Sequence, residues 1–175
     1  MPNPSYAYFD GIEGSCTQEG REGSVTILEM DHLVEINVDV KDATATGTRR
    51  HGAVSLIANI DKATPLLEEC VCTSKTIPTV KLEFWNINEE GREVNYYNIL
   101  MEKVRIVKSR TYFPNVDDQA TTAYKHMKKY DMRYDKITWE FTDGNLSFSD
   151  EWKKPASWDT PHLEINKIRC YLENP

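Results

Sequence analysis

The sequence predicts a mainly β protein, folded as an antiparallel β-barrel or a two-sheet sandwich with one flanking α-helix at about residues 62–72. Three observations lead to this prediction. Apolar residues recur at every second position in most of the patterned stretches, which is the period of a half-buried strand. Gly, Asn and Asp separate several of these stretches, as in hairpins between antiparallel strands. One stretch before residue 155 has strong helical spacing instead.

The first part of the chain supplies two strand candidates and a long loop. Residues 6–9 form a short strand candidate, and residues 25–40 are predicted as one long strand. Within the long candidate the apolar residues change parity near Ile27 and Leu28, so we expect a bulge that bends the strand toward a barrel. Residues 41–52 have no hydrophobic period and contain two glycines, which predicts an extended loop. Loops of this length in compact domains are usually functional or disordered.

The predicted helix follows a buried strand at residues 53–60, where apolar residues alternate with few charges. The helical stripe contains Ala63, Leu66, Leu67, Cys70 and Val71. Pro65 suits the first turn because it lacks the N–H that would be unpaired there, and Pro78 prevents the helix from continuing. A helix of about three turns among strands is expected to close an open end or face of the sheet.

Long strands and a tight turn are predicted after the helix. Residues 79–87 alternate as a strand, and the turn at residues 88–91 offers Gly91 for a positive φ. Residues 93–110 return as a very long strand. Its apolar parity switches along its length, which fits a bent strand shared between two sheets.

The last predicted hairpin follows a polar stretch. Residues 111–129 predict a loop with at most a short helical turn. Residues 132–142 resume as a strand, and Asp143–Gly144 is a tight-turn signal. Leu146 and Phe148 then mark the return strand.

Composition and charge fit one soluble globular domain. The chain has 175 residues, of which 39% are hydrophobic and 28% are charged. Its net charge of −7 argues against nucleic acid, because phosphate binding requires a basic face. No apolar run approaches the roughly 20 residues that span a bilayer, so we expect no direct membrane insertion. The N-terminus has neither a basic region nor an apolar core, so we expect synthesis in the cytoplasm without a secretory signal.

No residue set predicts an active site, a metal centre or a cofactor site. The histidines His32, His51, His126 and His162 lie outside any metal-ligand spacing. The chain contains no GxSxG, P-loop or GxGxxG motif. His32 lies among apolar strand residues, which predicts a hydrogen-bonded structural histidine. Chemistry alone therefore predicts a β domain that is not an enzyme and binds no cofactor.

Aromatic residues at strand spacing leave two interpretations open. They are Trp85, Tyr96, Tyr97, Trp139 and Phe141. Core packing is the simpler interpretation, and a platform that stacks on carbohydrate is the other. A monomeric β-sandwich that binds carbohydrate is therefore an alternative function, besides an enzyme with a diffuse active site.

Several stretches carry a family resemblance when they are taken in their order and spacing. They are YFDGIEG at 8–14, GTRRH at 47–51, ANIDKATPLL at 58–67, VKLEFWNINEEGREVNYYNILMEKV at 80–104 and YDKITWEFTDGNLSFSDEW at 134–152. Together they resemble the haemolysin-coregulated protein (Hcp) family, the tube protein of the bacterial type VI secretion system. The resemblance implies an Hcp-like β-barrel domain at residues 1–153 and a C-terminal tail at residues 154–175.

The resemblance further implies a phage tail-tube-like fold and a structural role. Subunits of the family form hexameric rings, and the rings stack into a hollow tube that sheath contraction propels with its spike into a neighbouring cell. The implied partners are other copies of the chain, the sheath, spike and baseplate proteins, and small effector proteins in the lumen. The protein would be made in the cytoplasm and secreted through the machine. A prophage tail-tube protein is a variant of this hypothesis.

Contacts between rings require a segment that projects along the tube axis. The long loop is the candidate, with the ring-stacking residues Thr46, Gly47, Thr48, Arg49, Arg50 and His51. The candidate receiving hairpin contains Glu89, Glu90 and Gly91. Arg49 and Arg50 are candidates to pair with acidic groups of the next ring, such as Glu89 or Glu90. An unpaired, solvated loop is the alternative for the subunit before the rings assemble.

Overall fold

The computed structural model describes residues 3–39, 41, 45, 47–113, 115 and 125–152. Thr46 of the predicted stacking loop, His162 and the predicted tail at residues 154–175 lie outside the described residues. In chain order the elements are β1 (Ser5–Phe9), β2 (Val25–Asp31), β3 (Val34–Glu35), β4 (Arg50–His51), β5 (Val54–Asn59), α1 (Thr64–Cys72), β6 (Ile77–Ile87), β7 (Glu93–Tyr112), β8 (Met127–Arg133), β9 (Lys136–Phe141) and β10 (Leu146–Glu151).

Antiparallel pairing closes most of these strands into a barrel. The order β10–β9–β7–β6–β1–β2–β5–β8 returns to β7 through an additional β7–β8 pairing. The closed part contains β7, β6, β1, β2, β5 and β8, while β9 and β10 extend from β7 as a hairpin. The sequence leaves a barrel and a sandwich open, and the structure is a barrel with extra strands. Because the barrel closes, each of its strands pairs with a neighbour along both of its edges. Among the described strands, β10 lies at the end of the sheet.

Strand β7 joins the two halves of the sheet. Its first half pairs with β6 on one edge and β9 on the other, and from Arg105 onward it pairs with β8 instead of β9. The change of partner coincides with a positive φ of 53° at Lys103 and a register shift between Ile106 and Lys108. The predicted long, bent strand is therefore confirmed, with bounds Glu93–Tyr112.

Helix α1 packs onto the barrel core. Its Leu67 and Cys70 are buried in one cluster with barrel residues. The barrel contributes Val54, Leu56, Leu82, Met101, Met132 and Ile137, among others, to this cluster. The helix begins at Thr64 and has Pro65 in its first turn, as predicted. Among the described residues, no helix has the length and apolar character that crossing a bilayer requires.

Part of the loop predicted at residues 111–129 is strand. The loop prediction is wrong at Thr111 and Tyr112, which end β7, and from Met127 onward, where β8 begins. The Lys128 side chain is only 8% exposed and forms an ion pair with Glu68 of α1. It also donates to Ser109 Oγ at 3.2 Å. A buried lysine near the start of a strand hides the alternation on which strand prediction depends.

Residues 25–40 are not one strand. β2 contains the expected bulge, between Ile27 and Glu29, and ends at Asp31. β3 follows as part of a separate two-stranded sheet with β4. The region predicted as an extended loop therefore includes a strand at its end.

Candidate functional site

The described residues between β2 and β5 form a separate antiparallel pair, which we call the arm (residues 33–39, 41, 45 and 47–52). β3 pairs with β4 in antiparallel register, and a bridge farther out joins Val38 to Ala45. The Gly52 amide donates to the Leu33 carbonyl at 2.7 Å and closes the base of the hairpin. The described residues of β3 and of the outer arm are exposed. The arm therefore extends from the barrel and does not pack into its core.

Two residues at the base of the arm turn inward and bind Asp150 of β10. The Arg49 guanidinium forms a two-bond ion pair with the Asp150 carboxylate, and its Nη2 also donates to the Glu151 carbonyl at 2.9 Å. His51 Nε2 lies 2.9 Å from Asp150 Oδ2, and His51 Nδ1 lies 2.7 Å from the Tyr134 hydroxyl. We call Arg49, His51, Tyr134 and Asp150 the clamp. It joins the base of the arm to the β9–β10 hairpin.

Donors and acceptors in the clamp follow one consistent direction. Burial alone would raise the pKa of Asp150, but hydrogen bonds from Arg49 and His51 outweigh it and hold that pKa below its usual value. The ionised carboxylate accepts from His51 Nε2, and in the neutral tautomer that carries this proton Nδ1 accepts from the Tyr134 hydroxyl. Burial and the nearby Asp150 charge raise the pKa of Tyr134, so its proton stays available. The Tyr134 oxygen accepts in turn from His32 Nε2 at 2.8 Å.

Aromatic rings surround the clamp. The Trp139 ring centroid lies 6.2 Å from that of His32 and 6.3 Å from that of His51, in stacked orientations. Trp152 approaches His51 at 5.7 Å, and Arg133 Nη1 donates to the His51 carbonyl at 2.9 Å. Burial, and then the neighbouring His51, lower the pKa of His32 and favour its neutral form. The prediction that His32 is a hydrogen-bonded structural histidine is confirmed.

Two groups of exposed apolar side chains lie on different parts of the subunit. The arm carries Leu33, Val34, Ile36 and Val38, which are between 42% and 56% exposed. The β9–β10 hairpin carries Phe141, Leu146 and Phe148, which are between 42% and 62% exposed. Among the strands that the structure describes, β10 lies at the end of the sheet, and none of them pairs with its outer backbone edge. Exposed apolar groups beside an open sheet edge favour association with another protein surface.

The turn between β6 and β7 forms an acidic tip (residues 88–92). Asn88 Oδ1 accepts from the amides of Glu90 at 3.1 Å and Arg92 at 2.8 Å, which fixes the turn. Gly91 has a φ of 75°, as the sequence predicts. Both glutamates of the turn are exposed, and Glu90 pairs with Arg92 across 3.4 Å. The tip is therefore a rigid turn with carboxylates at its surface.

The structure divides the predicted stacking residues into two groups. Gly47, Thr48 and Arg50 are exposed. Arg49 and His51 face inward and belong to the clamp. Among the described residues of the predicted loop, Arg50 is therefore the exposed arginine.

Sequence patterns do not find the other half of the clamp. Asp150 lies 99 residues from His51, and Tyr134 lies 83 residues from it. One signal was available, because Asp150 shares the strand parity of Leu146 and Phe148 and is a charged residue in an apolar series. Among the residues that the structure describes, no three His, Cys, Asp or Glu side chains are arranged to hold a metal ion.

Known proteins share both the sequence and the fold of this chain. The profile of the family described as "Type VI secretion system effector, Hcp" matches residues 6–141. The "Major exported protein" of Pseudomonas aeruginosa is 28% identical over 151 residues, which cover 86% of this chain and 88% of that protein. A mutant of Hcp1 from E. coli EAEC 042 is 31% identical, with a TM-score of 0.74 over 87% of this chain and 99% of that chain. Hcp1 from Salmonella typhimurium shows the same fold at 13% identity, with a TM-score of 0.71 over 89% and 98% of the two chains.

The profile match runs from β1 to the end of β9. The aligned part of this chain also covers most of the length of the relatives, 88% of the exported protein and 99% of the E. coli Hcp1 chain. On this evidence the chain belongs to the Hcp family of type VI secretion system tube proteins.

Proposed function

We propose that this chain is a structural tube subunit that closes into hexameric rings. The observation that carries the proposal is the presence of two different exposed apolar surfaces, the arm and the β9–β10 hairpin, on one subunit. Two different surfaces can meet head to tail, and such heterologous contacts form a ring when the rotation closes. A ring of this kind would also cover the open edge of β10.

Burial of these side chains would supply free energy comparable to the cost of association. A half-exposed Phe, Leu, Ile or Val gains about 1–2 kcal/mol when its remaining apolar area leaves water, so the two surfaces together would give on the order of 10 kcal/mol per interface. Lost translational and rotational freedom costs about 4–15 kcal/mol. A single interface would therefore be marginal. Ring closure adds one interface without a further association cost, so closed rings would be favoured over open chains.

Stacking of rings would use Arg50 of the arm and the acidic tip of the next ring. Arg49 is already paired with Asp150, so Arg50 is the arginine that the arm would offer to a partner. Exposed ion pairs contribute about 0.2–1 kcal/mol each, so a hexameric junction would gain on the order of 1–6 kcal/mol. Stacking would then be weak and sensitive to salt. Spike, baseplate or sheath proteins would guide the assembly of a stable tube.

The same proposal covers the partners and the export of the subunit. Sheath, spike and baseplate proteins would contact the outside and the ends of the tube, and small effector proteins would occupy its lumen. The subunit would be made in the cytoplasm and leave through the contracting machine, in line with its exported relative. Its role is structural and includes no catalytic step. Residues 154–175 would be a tail appended to a domain at residues 1–153.

Electron microscopy and native mass spectrometry of the purified chain test the proposal. We expect hexameric rings with an open centre, and stacks of rings at high protein concentration. Arg50→Glu should leave the rings intact and shorten the stacks, because it reverses the charge that faces the acidic tip. Arg110→Glu reverses another exposed arginine, on β7, and should change neither. A protein that stays monomeric at high concentration, or unchanged stacking in Arg50→Glu, would contradict the proposal.

A further inference from the structure

We propose that Asp150 is a positioning residue for ring stacking: it holds Arg49 and His51 inward and thereby turns Arg50 outward toward the next ring. The consequence for stacking rests on the proposed function, whereas the clamp itself is a property of the single subunit. Asp150 acts through the arm and does not itself contact the neighbouring ring.

A buried carboxylate on an exposed edge strand requires partners. Asp150 is 8% exposed, whereas the four preceding residues of β10 are exposed. An ionised carboxylate in such a position is costly unless it is paired and hydrogen-bonded. Its charge-assisted bonds come from Arg49 and His51, which both belong to the arm. Asp150 therefore links the edge strand to the arm.

Strand geometry then sets the direction of Arg50. Successive side chains of an extended strand point to opposite faces, so Arg50 points outward when Arg49 and His51 point inward. The side-chain exposures agree, since Arg49 is 19% exposed and His51 is 3% exposed, while Arg50 is exposed. A slip of this segment by one residue would bury Arg50 and expose both of its neighbours.

The remaining links at the base of the arm are weaker guides to its direction. The sheet of β3 and β4 is separate from the barrel sheet, and the described residues of the outer arm are exposed. The bond between Gly52 and Leu33 lies within the arm and moves with it. Arg133 donates to the backbone carbonyl of His51, which does not fix the side chains on either side. Two further side-chain bonds also hold this segment, but the Tyr134 hydroxyl contacts His51 alone and the Glu151 carbonyl accepts from Arg49 alone. The Asp150 carboxylate binds both inward side chains, so it is the group that fixes them together.

Asp150→Asn tests the proposal, because it removes the charge and nearly conserves the shape of the side chain. Hydrogen–deuterium exchange of residues 47–52 measures the arm, and electron microscopy measures rings and stacks. We expect exchange in that segment to be at least about tenfold faster, since a charged, buried hydrogen-bond set is lost. The rings should persist and the stacks should shorten. Arg49→Gln breaks the same ion pair from the other side and should give the same result. It serves as the test if Asp150→Asn folds poorly.

Glu102→Gln is the matched control. It breaks the 2.6 Å ion pair between Glu102 and Lys136, which joins β7 to β9 away from the arm, and should leave exchange of residues 47–52 and stacking unchanged. Unchanged hydrogen exchange of residues 47–52 in both Asp150→Asn and Arg49→Gln would contradict the claim that the clamp holds the arm. Faster exchange with undiminished stacking would overturn the positioning role and leave the proposed function intact. Absence of rings in the unsubstituted protein would contradict the proposed function and, with it, the role of Asp150 in stacking. The exchange data would still test whether Asp150 holds the arm residues inward.

Discussion

The tyrosine at the centre of the clamp gives a direct measure of the clamp's energy. Tyr134→Phe removes the hydroxyl that joins His32 to His51 and keeps the ring in place. Tyr130→Phe is the matched control, because Tyr130 is 2% exposed and Tyr134 is 6% exposed. The Tyr130 hydroxyl has no partner at hydrogen-bond distance among the described residues, and burial raises its pKa to about 12 although the nearby Thr64 acts in the opposite direction. The two variants therefore remove the same hydroxyl group from two buried tyrosines, of which Tyr134 is hydrogen-bonded to histidines and Tyr130 is not.

The expected loss in Tyr134→Phe follows from the burial of the two histidines. His51 is 5% exposed, so its Nδ1 would lose its partner out of reach of water, at a cost of about 1–3 kcal/mol. His32 is partly exposed, so water replaces its bond in part and the loss there is about 0.5–1 kcal/mol. The free energy of unfolding should therefore fall by about 1.5–4 kcal/mol, with Tm lower by about 2–4 °C for each kcal/mol. Tyr130→Phe should stay within about 0.5 kcal/mol of the unsubstituted protein.

Urea denaturation followed by tryptophan fluorescence measures both variants. All samples need one protein concentration, because assembly adds stability that depends on concentration. Trp139 stacks on both histidine rings, so its fluorescence reports on the clamp as well as on unfolding. If the two variants agree within about 0.5 kcal/mol, the hydrogen-bonded chain through Tyr134 contributes nothing and the reasoning is refuted.

Acidity, core volume and surface charge give three further tests. Burial lowers the pKa of His32, so below the ordinary value of 6.5 the unfolded chain binds more protons than the folded chain. Tm, measured by calorimetry, should therefore be steady above pH 6.5 and fall below it. His32→Gln should abolish this decline. The lowered pKa of Asp150 predicts a second decline as the pH falls below 3.8. Leu67→Ala, at a side chain that is 1% exposed, should cost about 2–5 kcal/mol in urea, and a loss under about 1 kcal/mol would contradict its burial. Phe148→Glu should break rings into smaller species in sedimentation velocity, whereas Val107→Glu, at a 55% exposed residue of β7, should not; intact rings in both would exclude β10 from the ring interface.

Strand patterns predict most of this fold because most of the strands lay one face on a single core. Burial alternates without interruption along β5, from Val54 to Asn59, and the period-two signal is equally plain in the sequence. The start of β8 escapes prediction because Lys128 is buried there. Its charge is balanced by Glu68, a helix residue 60 positions away, and no local pattern contains that pairing.

The clamp escapes prediction for the same physical reason. His51 and Asp150 meet only after the barrel has brought the arm to the β9–β10 hairpin. Sequence reasoning treats residues 46–51 as one group, because they share a loop without hydrophobic period. Backbone alternation separates that group, so Arg50 is exposed while Arg49 and His51 are held inside. Which of two adjacent arginines is offered to a partner is thus a property of the fold.

β7 has a mechanical consequence for the subunit. It is one continuous stretch of 20 residues that pairs with β6, β8 and β9 in turn. A pull on one half of the barrel therefore reaches the other half through covalent backbone, and not through side-chain packing alone. A pull along such a strand loads its hydrogen bonds in parallel, so they share the force. A pull across the strand would instead break them one after another. Under the proposed function, expulsion by a contracting sheath would impose that kind of force on every subunit.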